Sequence, residues 1–438
     1  MTVDQQTLAP QPIESLGYRW VQLAMGIVCM AMIANLQYGW TLFVDPINEK
    51  YHWGRVAIQF AFTIFIVTET VLVPVEAWFV DHYGPRVVTM FGAIMIALAW
   101  VLNSTATSLL VFYAGAVLGG IGVGSVYGTC VGNALKWFPD RRGLAAGANA
   151  AGFGAGAALT VVPIAKVIAS SGYEQAFFTF GIGQGLVVFV IALFLRAPSR
   201  VMPARKAQLN LPQTRIDFTP SQVLRQPVFW MLYLVFVMVA SCGLMTAAQI
   251  APIARDYGIA TVPVSIFGFQ MAALTFALSL DRIFAGLGRP VFGWIADNIG
   301  RENVMFIAFG TAALMLWTLA TYGQNPIVFV LSTAVYFLVF GEIYSLFPAT
   351  SADTFGSKFA STNACMLYTA KGVASLLVPI ASVVAASYGW QLVFIIAVAL
   401  NALAALLALF VIKPMRSAFV LGHRNANEES AGRETSAI

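Results

Sequence analysis

Residues 279–301 read SLDRIFAGLGRPVFGWIADNIGR. Most of the stretch is apolar enough for a membrane interior. It nevertheless carries Asp281, Arg282 and Arg289 ahead of a polar turn, Asp297 to Arg301. A charge at the bilayer centre costs at least about 2.5–3.5 kcal/mol on the gentlest scale, so charges kept there mark function. One other apolar segment holds a comparable cation, Lys371 in CMLYTAKGVASLLVP. Two cations facing one cavity would make a site for a small anion, and the rest of the chain bears on whether that cavity exists.

The chain has 438 residues, 59% hydrophobic and 10% charged, with a mean hydropathy of +0.79. Soluble domains carry about 25% charged residues. The expected class is an all-α polytopic membrane protein embedded in a lipid bilayer. A net charge of +5 is modest and gives no case for nucleic acid. Residues 1–18 are polar, contain Asp4 and Glu14, and lack the basic and apolar regions of a cleavable leader. Insertion is expected to use the first membrane helix. The four cysteines, Cys29, Cys130, Cys242 and Cys365, stand apart in apolar segments, without disulfide or metal spacing.

A spanning helix needs about 20 mainly apolar residues. Twelve segments qualify, from 19–43 to 389–412, with the fifth and sixth at 142–170 and 174–195 and the eighth at 263–295. Residues 196–226 are polar and rich in Pro and basic residues, the composition of a linker. The expected organisation is a tail (1–18), a six-helix bundle (19–195), the linker (196–226), a second six-helix bundle (227–412) and a tail (413–438). An even number of spans puts both termini on one side, which then holds seventeen of the 24 Lys and Arg residues, against four on the other. That bias predicts cytoplasmic termini in a cell membrane, inner or plasma.

The halves repeat. Asp81-His-Tyr-Gly-Pro-Arg86 follows the second span and Asp297-Asn-Ile-Gly-Arg301 the eighth, their aspartates 216 residues apart. Tyr127 and Tyr344 differ by 217, as do Phe138 and Phe355, and Arg141 and Lys358. Parallel repeats of this kind predict two bundles that rock about a midplane site, giving alternating access. Asp81, Arg86, Asp297 and Arg301 are expected to latch helix ends in one access state; a solvated basic loop is the plainer alternative.

The two Asp-x-x-Gly-(Pro)-Arg turns resemble the signature of the major facilitator superfamily. NLQYGWTLFVDPI, VGSVYGTCVGNALKWFPDRRGLAAG, GRPVFGWIADNIGR, LFPATSADTFG and YTAKG further resemble the oxalate:formate antiporter family, in the same order and over most of the chain. That resemblance implies that Arg289 and Lys371 bind the two carboxylates of oxalate. It also implies that Gln37, Tyr38, Tyr127 and Tyr344 line the pocket. Phe153 stands where the family can carry a tyrosine, Phe340 where it can carry a tryptophan, and Glu342 where a member has glycine.

The residues support this on their own chemistry. Arg289 presents a planar fork for a carboxylate, and Lys371 a compact charge with three donors. Each cation–carboxylate pair at 4 Å is worth about 4 kcal/mol before desolvation, at an effective dielectric near 20. One dicarboxylate satisfies both cations; formate would bind singly on the return leg. Shifting Arg289 and Lys371 back by 217 gives Leu72 and Gly154, so the first half supplies an uncharged wall. A structural ion pair is the alternative for either cation. Glu342 is expected to pair with one of them when the site is empty, or to carry a proton. Arg282, seven residues before Arg289 and so on nearly the same face, is a second candidate site cation or a partner for Glu69 or Glu76, which also lie seven apart on one helix face. The preferred expectation is an ion-pair network between the halves that includes Asp281.

No cofactor or metal is expected. A Walker lysine is missing, and His52, His82 and His423 lie in loops or the tail. The expected function is secondary exchange of small carboxylates, oxalate for formate, by a monomer. A proton-coupled lactate-like symporter using Glu342 or Asp281 is the alternative in the same class. A receptor without transport is the alternative in another.

Overall fold

Proline and glycine mark where each apolar run turns back. The computed structural model describes residues 17–198, 213–214, 216–266 and 268–423. Expectations for the first tail before residue 17, the linker centre (199–212 and 215) and the last tail beyond residue 423 lie outside the described residues. In the first half the helices are α1 (Tyr18–Tyr38), α2 (Thr41–Tyr51), α3 (Arg55–Tyr83), α4 (Pro85–Ser104), α5 (Leu109–Trp137) and α6 (Arg142–Ala192). A short α7 (Pro220–Val223) leads into the second half. There follow α8 (Pro227–Asp256), α9 (Ala273–Ile299), α10 (Arg301–Tyr322), α11 (Pro326–Phe340), α12 (Ile343–Phe355), α13 (Ala360–Tyr368), α14 (Ala370–Tyr388) and α15 (Trp390–Leu407), the last continuing through a π-turn. Pro85, Pro227 and Pro326 open their helices at a position where the missing N–H costs nothing.

Ten stretches among the described residues are long and apolar enough to cross a bilayer. The 51-residue α6 would be about 76 Å long at 1.5 Å per residue, more than twice the hydrocarbon thickness. It breaks at Gly172 (φ 86°, ψ 163°) and is two crossings. Helix α9 falls outside the ten because Asp281, Arg282, Arg289 and Asp297 interrupt its 27 residues. With α6 counted twice and α9 added, the crossings number twelve.

Three details correct the sequence reading. The chain is not wholly helical: β1 (Pro263–Ile266) and β2 (Phe269–Ala272) form an antiparallel hairpin, Val264 opposite Met271. These residues were expected to start the eighth span; Gly268, at φ +82°, supplies the turn, and the helix begins only at Ala273. The first span is shorter than expected, because α1 ends at Tyr38 and α2 restarts after Gly39 and Trp40. The described end of the linker also packs on the second half. Thr214 N–H donates to Asp353 O at 2.9 Å, and Phe218 N–H to Phe355 O at 2.9 Å. The Asp217 carboxylate accepts from the Ser357 and Lys358 amides at 2.8 and 2.9 Å.

The halves meet where α6 crosses α9 and α12, and where α3 and α5 cross α13. The approach is backbone to backbone. A Cβ added at Gly143 would lie 2.3 Å from Gly293 O, and one at Gly147 would lie 2.3 Å from Arg289 O. Apolar side chains gain little from meeting each other in lipid, so close contact between small residues provides the association.

Candidate anion site and the latch at one end of the bundle

Three interruptions in the helices fall beside candidate site residues. Helix α1 stops at Tyr38, one residue after Gln37. Helices α11 and α12 join through Gly341 and Glu342, just before Tyr344. Helices α13 and α14 join at Thr369, between Tyr368 and Lys371. Discontinuous helices are how membrane carriers bring polar groups to mid-depth. Arg289 lies eight residues from Asp297 at the end of α9, hence about 12 Å inside that end.

Both cations are buried, Arg289 at 8% exposure and Lys371 at 6%. The Arg289 guanidinium donates to the Ala150 carbonyl of α6 and lies 5.0 Å from the Tyr344 ring centroid. Lys371 Nζ donates to the Tyr368 hydroxyl at 2.8 Å. The two arms are joined by rings, Tyr344 lying 6.2 Å from Tyr368. Tyr368 continues at 4.7 Å to Tyr127 of α5. From Tyr127 the path runs at 6.0 Å to Phe153 of α6 and at 5.3 Å to Tyr38 of α1. On the other flank Phe340 packs 6.2 Å from Tyr344. Tyr38 feels Arg289, Lys371 and Arg282 together, and the Gln37 Oε1 is buried without a partner. Gly154, the repeat mate of Lys371, leaves Arg289 clear, since a Cβ there would lie 3.9 Å from its guanidinium.

The structure therefore gathers Arg289, Lys371, Tyr38, Tyr127, Tyr344, Phe153 and Phe340 into one cross-half cluster. It adds Tyr368, which sequence reasoning passed over. The signal was present: Tyr368 is three residues before Lys371, the spacing that puts two side chains on one helix face.

The acidic residues depart from expectation. Glu342 is fully buried, and neither carboxyl oxygen has a hydrogen-bond partner. No cation pairs with it among the described residues; Lys371, one of its two expected partners, is already taken by another acid. Lys371 is instead paired with Glu69 of α3, 3.9 Å from Nζ to Oε1. Arg282 pairs with neither Glu69 nor Glu76. It is exposed and sits 5.5 Å from the Tyr38 ring, because α9 packs mainly on α6 and α11 and not on α3. Asp281, adjacent in sequence, points about 100° round the helix and is buried near Thr333. Glu76 is buried beside Ser125. Of the four residues expected to form a cross-half network, only Glu69 makes an ion pair among the described residues, and its partner is Lys371.

At the end that carries the linker, each repeated turn caps a helix of the other half. Asp81 accepts from the Thr362 amide at 2.9 Å and hydroxyl at 2.7 Å, at the start of α13. Asp297 accepts from the Gly143 and Leu144 amides, both at 2.9 Å, at the start of α6. A carboxylate is favoured there by the unsatisfied N–H groups and the helix dipole. The guanidinium partners are not symmetric. Arg301 pairs with Asp297 at 2.6 Å and with Asp353 at 2.9 Å, and Asp353 also takes Arg142 of the first half at 2.7 Å. Arg86 is exposed and makes no ion pair among the described residues; Lys136 serves Asp81 instead, at 2.6 Å. Glycines Gly84 and Gly300, at φ +84° and +100°, permit both turns, since other residues rarely hold that conformation.

A family model of the Major Facilitator Superfamily matches residues 23–379 and 260–430. The chain is 34% identical over 402 residues to the oxalate:formate antiporter of Oxalobacter formigenes, covering 91% of this chain and 93% of that protein. Its fold is shared with the proton:xylose symporter XylE (TM-score 0.69, 13% identity, 90% of this chain and 96% of the other). It is equally shared with the E. coli fucose:proton symporter FucP (TM-score 0.67, 13% identity, 90% and 98%). These two structures speak for the fold alone. With the family match and the full-length relative together, the chain belongs to the major facilitator superfamily and, within it, to the oxalate:formate antiporter family: it is a multi-pass secondary transporter.

Proposed function

We propose that this carrier exchanges small carboxylates, oxalate for formate, by alternating access, with the dianion held between Arg289 and Lys371. The observation that carries the reading is the pair of buried cations, from α9 and α14, joined through Tyr344 and Tyr368 and faced by Tyr38, Tyr127 and Phe153 of the first half. The fork takes one carboxylate, the ammonium the other, and the flat rings fix the plane of the ligand. The bundles at 19–195 and 227–412 are the moving units, and the carrier works as a monomer. Both termini face the cytoplasm in the cell membrane, following the basic bias of that side. Asp81, Asp297 and Asp353 then close the cytoplasmic end.

The test is counterflow in proteoliposomes. Radiolabelled oxalate should enter only vesicles loaded with oxalate or formate. Arg289→Ala and Lys371→Ala should each abolish oxalate exchange while expression stays normal. Exchange at the parental rate in either variant refutes the two-cation site. A second reading, a proton-coupled monocarboxylate symporter, is favoured by one observation: Glu69 offsets Lys371, which leaves a net single positive charge in the site. Uptake into empty vesicles, driven by acid outside, would establish it.

A further inference from the structure

Glu69 is out of place in a site built to hold anions. It is 1% exposed, on α3 of the first half, and its Oε1 lies 3.9 Å from Lys371 Nζ of the second half. Neither of its oxygens has a hydrogen-bond partner. The groups that face it are few. Lys371 comes from α14, and Tyr344 and Tyr368 from α12 and α13. Glu76 is the neighbouring acid on its own helix. Helix α5 brings glycines against the Glu69 backbone: a Cβ at Gly120 would meet the Glu69 amide at 3.0 Å, and one at Gly124 would meet the Glu69 carbonyl at 3.2 Å. Helix α14 is seated against α3 at the next residue, where a Cβ on Gly372 would meet Thr70 at 2.6 Å. Among the described residues the carboxylate is therefore held against one cation, Lys371, and buried charges in a bilayer persist only when compensated.

We propose that Glu69 is the resident counter-ion of Lys371 and the carrier's proton-binding group, so that a dianion enters together with one proton. The inference rests on the site reading above and sets its charge arithmetic. The buried charges of the empty site are two cations, Arg289 and Lys371, and one carboxylate, Glu69, a net charge of one; Arg282, beside Tyr38, is exposed and screened by solvent. A monoanion such as formate neutralises it directly. A dianion such as oxalate neutralises it only when the Glu69 carboxylate accepts a proton from the same side, becoming a neutral carboxyl and releasing Lys371 to the ligand. Oxalate plus a proton moves one negative charge one way, formate moves one the other way, and the cycle is electroneutral. The site then also distinguishes anions by charge state rather than by length.

The experiment imposes a potassium–valinomycin potential on proteoliposomes exchanging oxalate for formate. The parent's final oxalate distribution should not move with the potential, and its oxalate entry should rise with acidity outside. In Glu69→Gln, which keeps the shape and loses the charge, oxalate distribution should shift about tenfold per 60 mV, as one net charge per cycle requires. The acid stimulation should vanish, and the preference for oxalate over formate should rise tenfold or more. A parent whose oxalate distribution follows the potential overturns the proposal without any variant. So does a Glu69→Gln protein that keeps the parent's acid stimulation and anion preference. As a measurement on the parent alone, oxalate binding in detergent should take up about one proton per carrier; uptake of none overturns it as well. A parent that exchanges other mono- and dicarboxylates but not oxalate and formate refutes the substrate pair, and the same potential test on the anions it does carry then decides Glu69.

Discussion

Asp353 offers the sharpest test of the latch. It is fully buried and ties together three parts of the chain. Its carboxylate takes Arg142 of the first half at 2.7 Å, Arg301 at 2.9 Å and Gln213 of the linker end at 2.9 Å. Arg142 and Arg301 are themselves 4% and 1% exposed. Asp353→Ala leaves Arg142 without its carboxylate in the closed end, while Arg301 keeps Asp297. Removing one partner of a buried pair costs about 3–5 kcal/mol. The cost of the unpaired Arg142 falls on the closed state, because Arg142 alone comes from the other half and hydrates once the halves part. At about 1.4 kcal/mol per decade, the closed-to-open ratio drops by about two to three and a half orders of magnitude. Ser361 reports the change. It is buried at the start of α13 against α5, where a Cβ on Gly132 would lie 2.0 Å from its Oγ. With the four native cysteines replaced and Ser361→Cys introduced, a membrane-impermeant maleimide applied from the linker side should react slowly in the parent background and at least tenfold faster with Asp353→Ala. Equal labelling rates in two proteins with the same gel-filtration profile would refute the latch.

Other expectations follow from the same geometry. Tyr368→Phe removes the 2.8 Å hydroxyl contact to Lys371; a hydrogen bond to a charged group is worth about 1.5–3 kcal/mol, so the KM for oxalate exchange should rise at least tenfold. Asp81→Ala should impair transport strongly, because it uncaps α13 and frees Lys136, whereas Arg86→Ala should leave exchange rates near the parent's. Gly147→Leu should abolish exchange with normal membrane insertion, because even a Cβ there would lie 2.3 Å from the Arg289 carbonyl and would separate α6 from α9.

The chain's own residues determined a good deal. Apolar run length and the scarcity of charge made the protein a membrane bundle, since a bilayer leaves an unsatisfied backbone no alternative to helices over that length. The 216-residue offset between Asp81 and Asp297 exposed the repeat. The isolation of Arg289 and Lys371 in apolar sequence marked them as the candidates for an anion site, because charges kept inside a membrane are costly. Tertiary structure alone decided which acid meets which base. Periodicity places a side chain on a helix face but does not say which helix that face will meet. Glu342, near Tyr344 in sequence, pairs with no cation among the described residues, while Glu69, some 300 residues from Lys371, lies 3.9 Å away. The same reason hid Asp353, the repeat counterpart of Lys136, whose two arginine partners come from different halves. Pairing of buried charges depends on how helices rotate and cross, and that is set by packing of the whole bundle rather than by any local pattern.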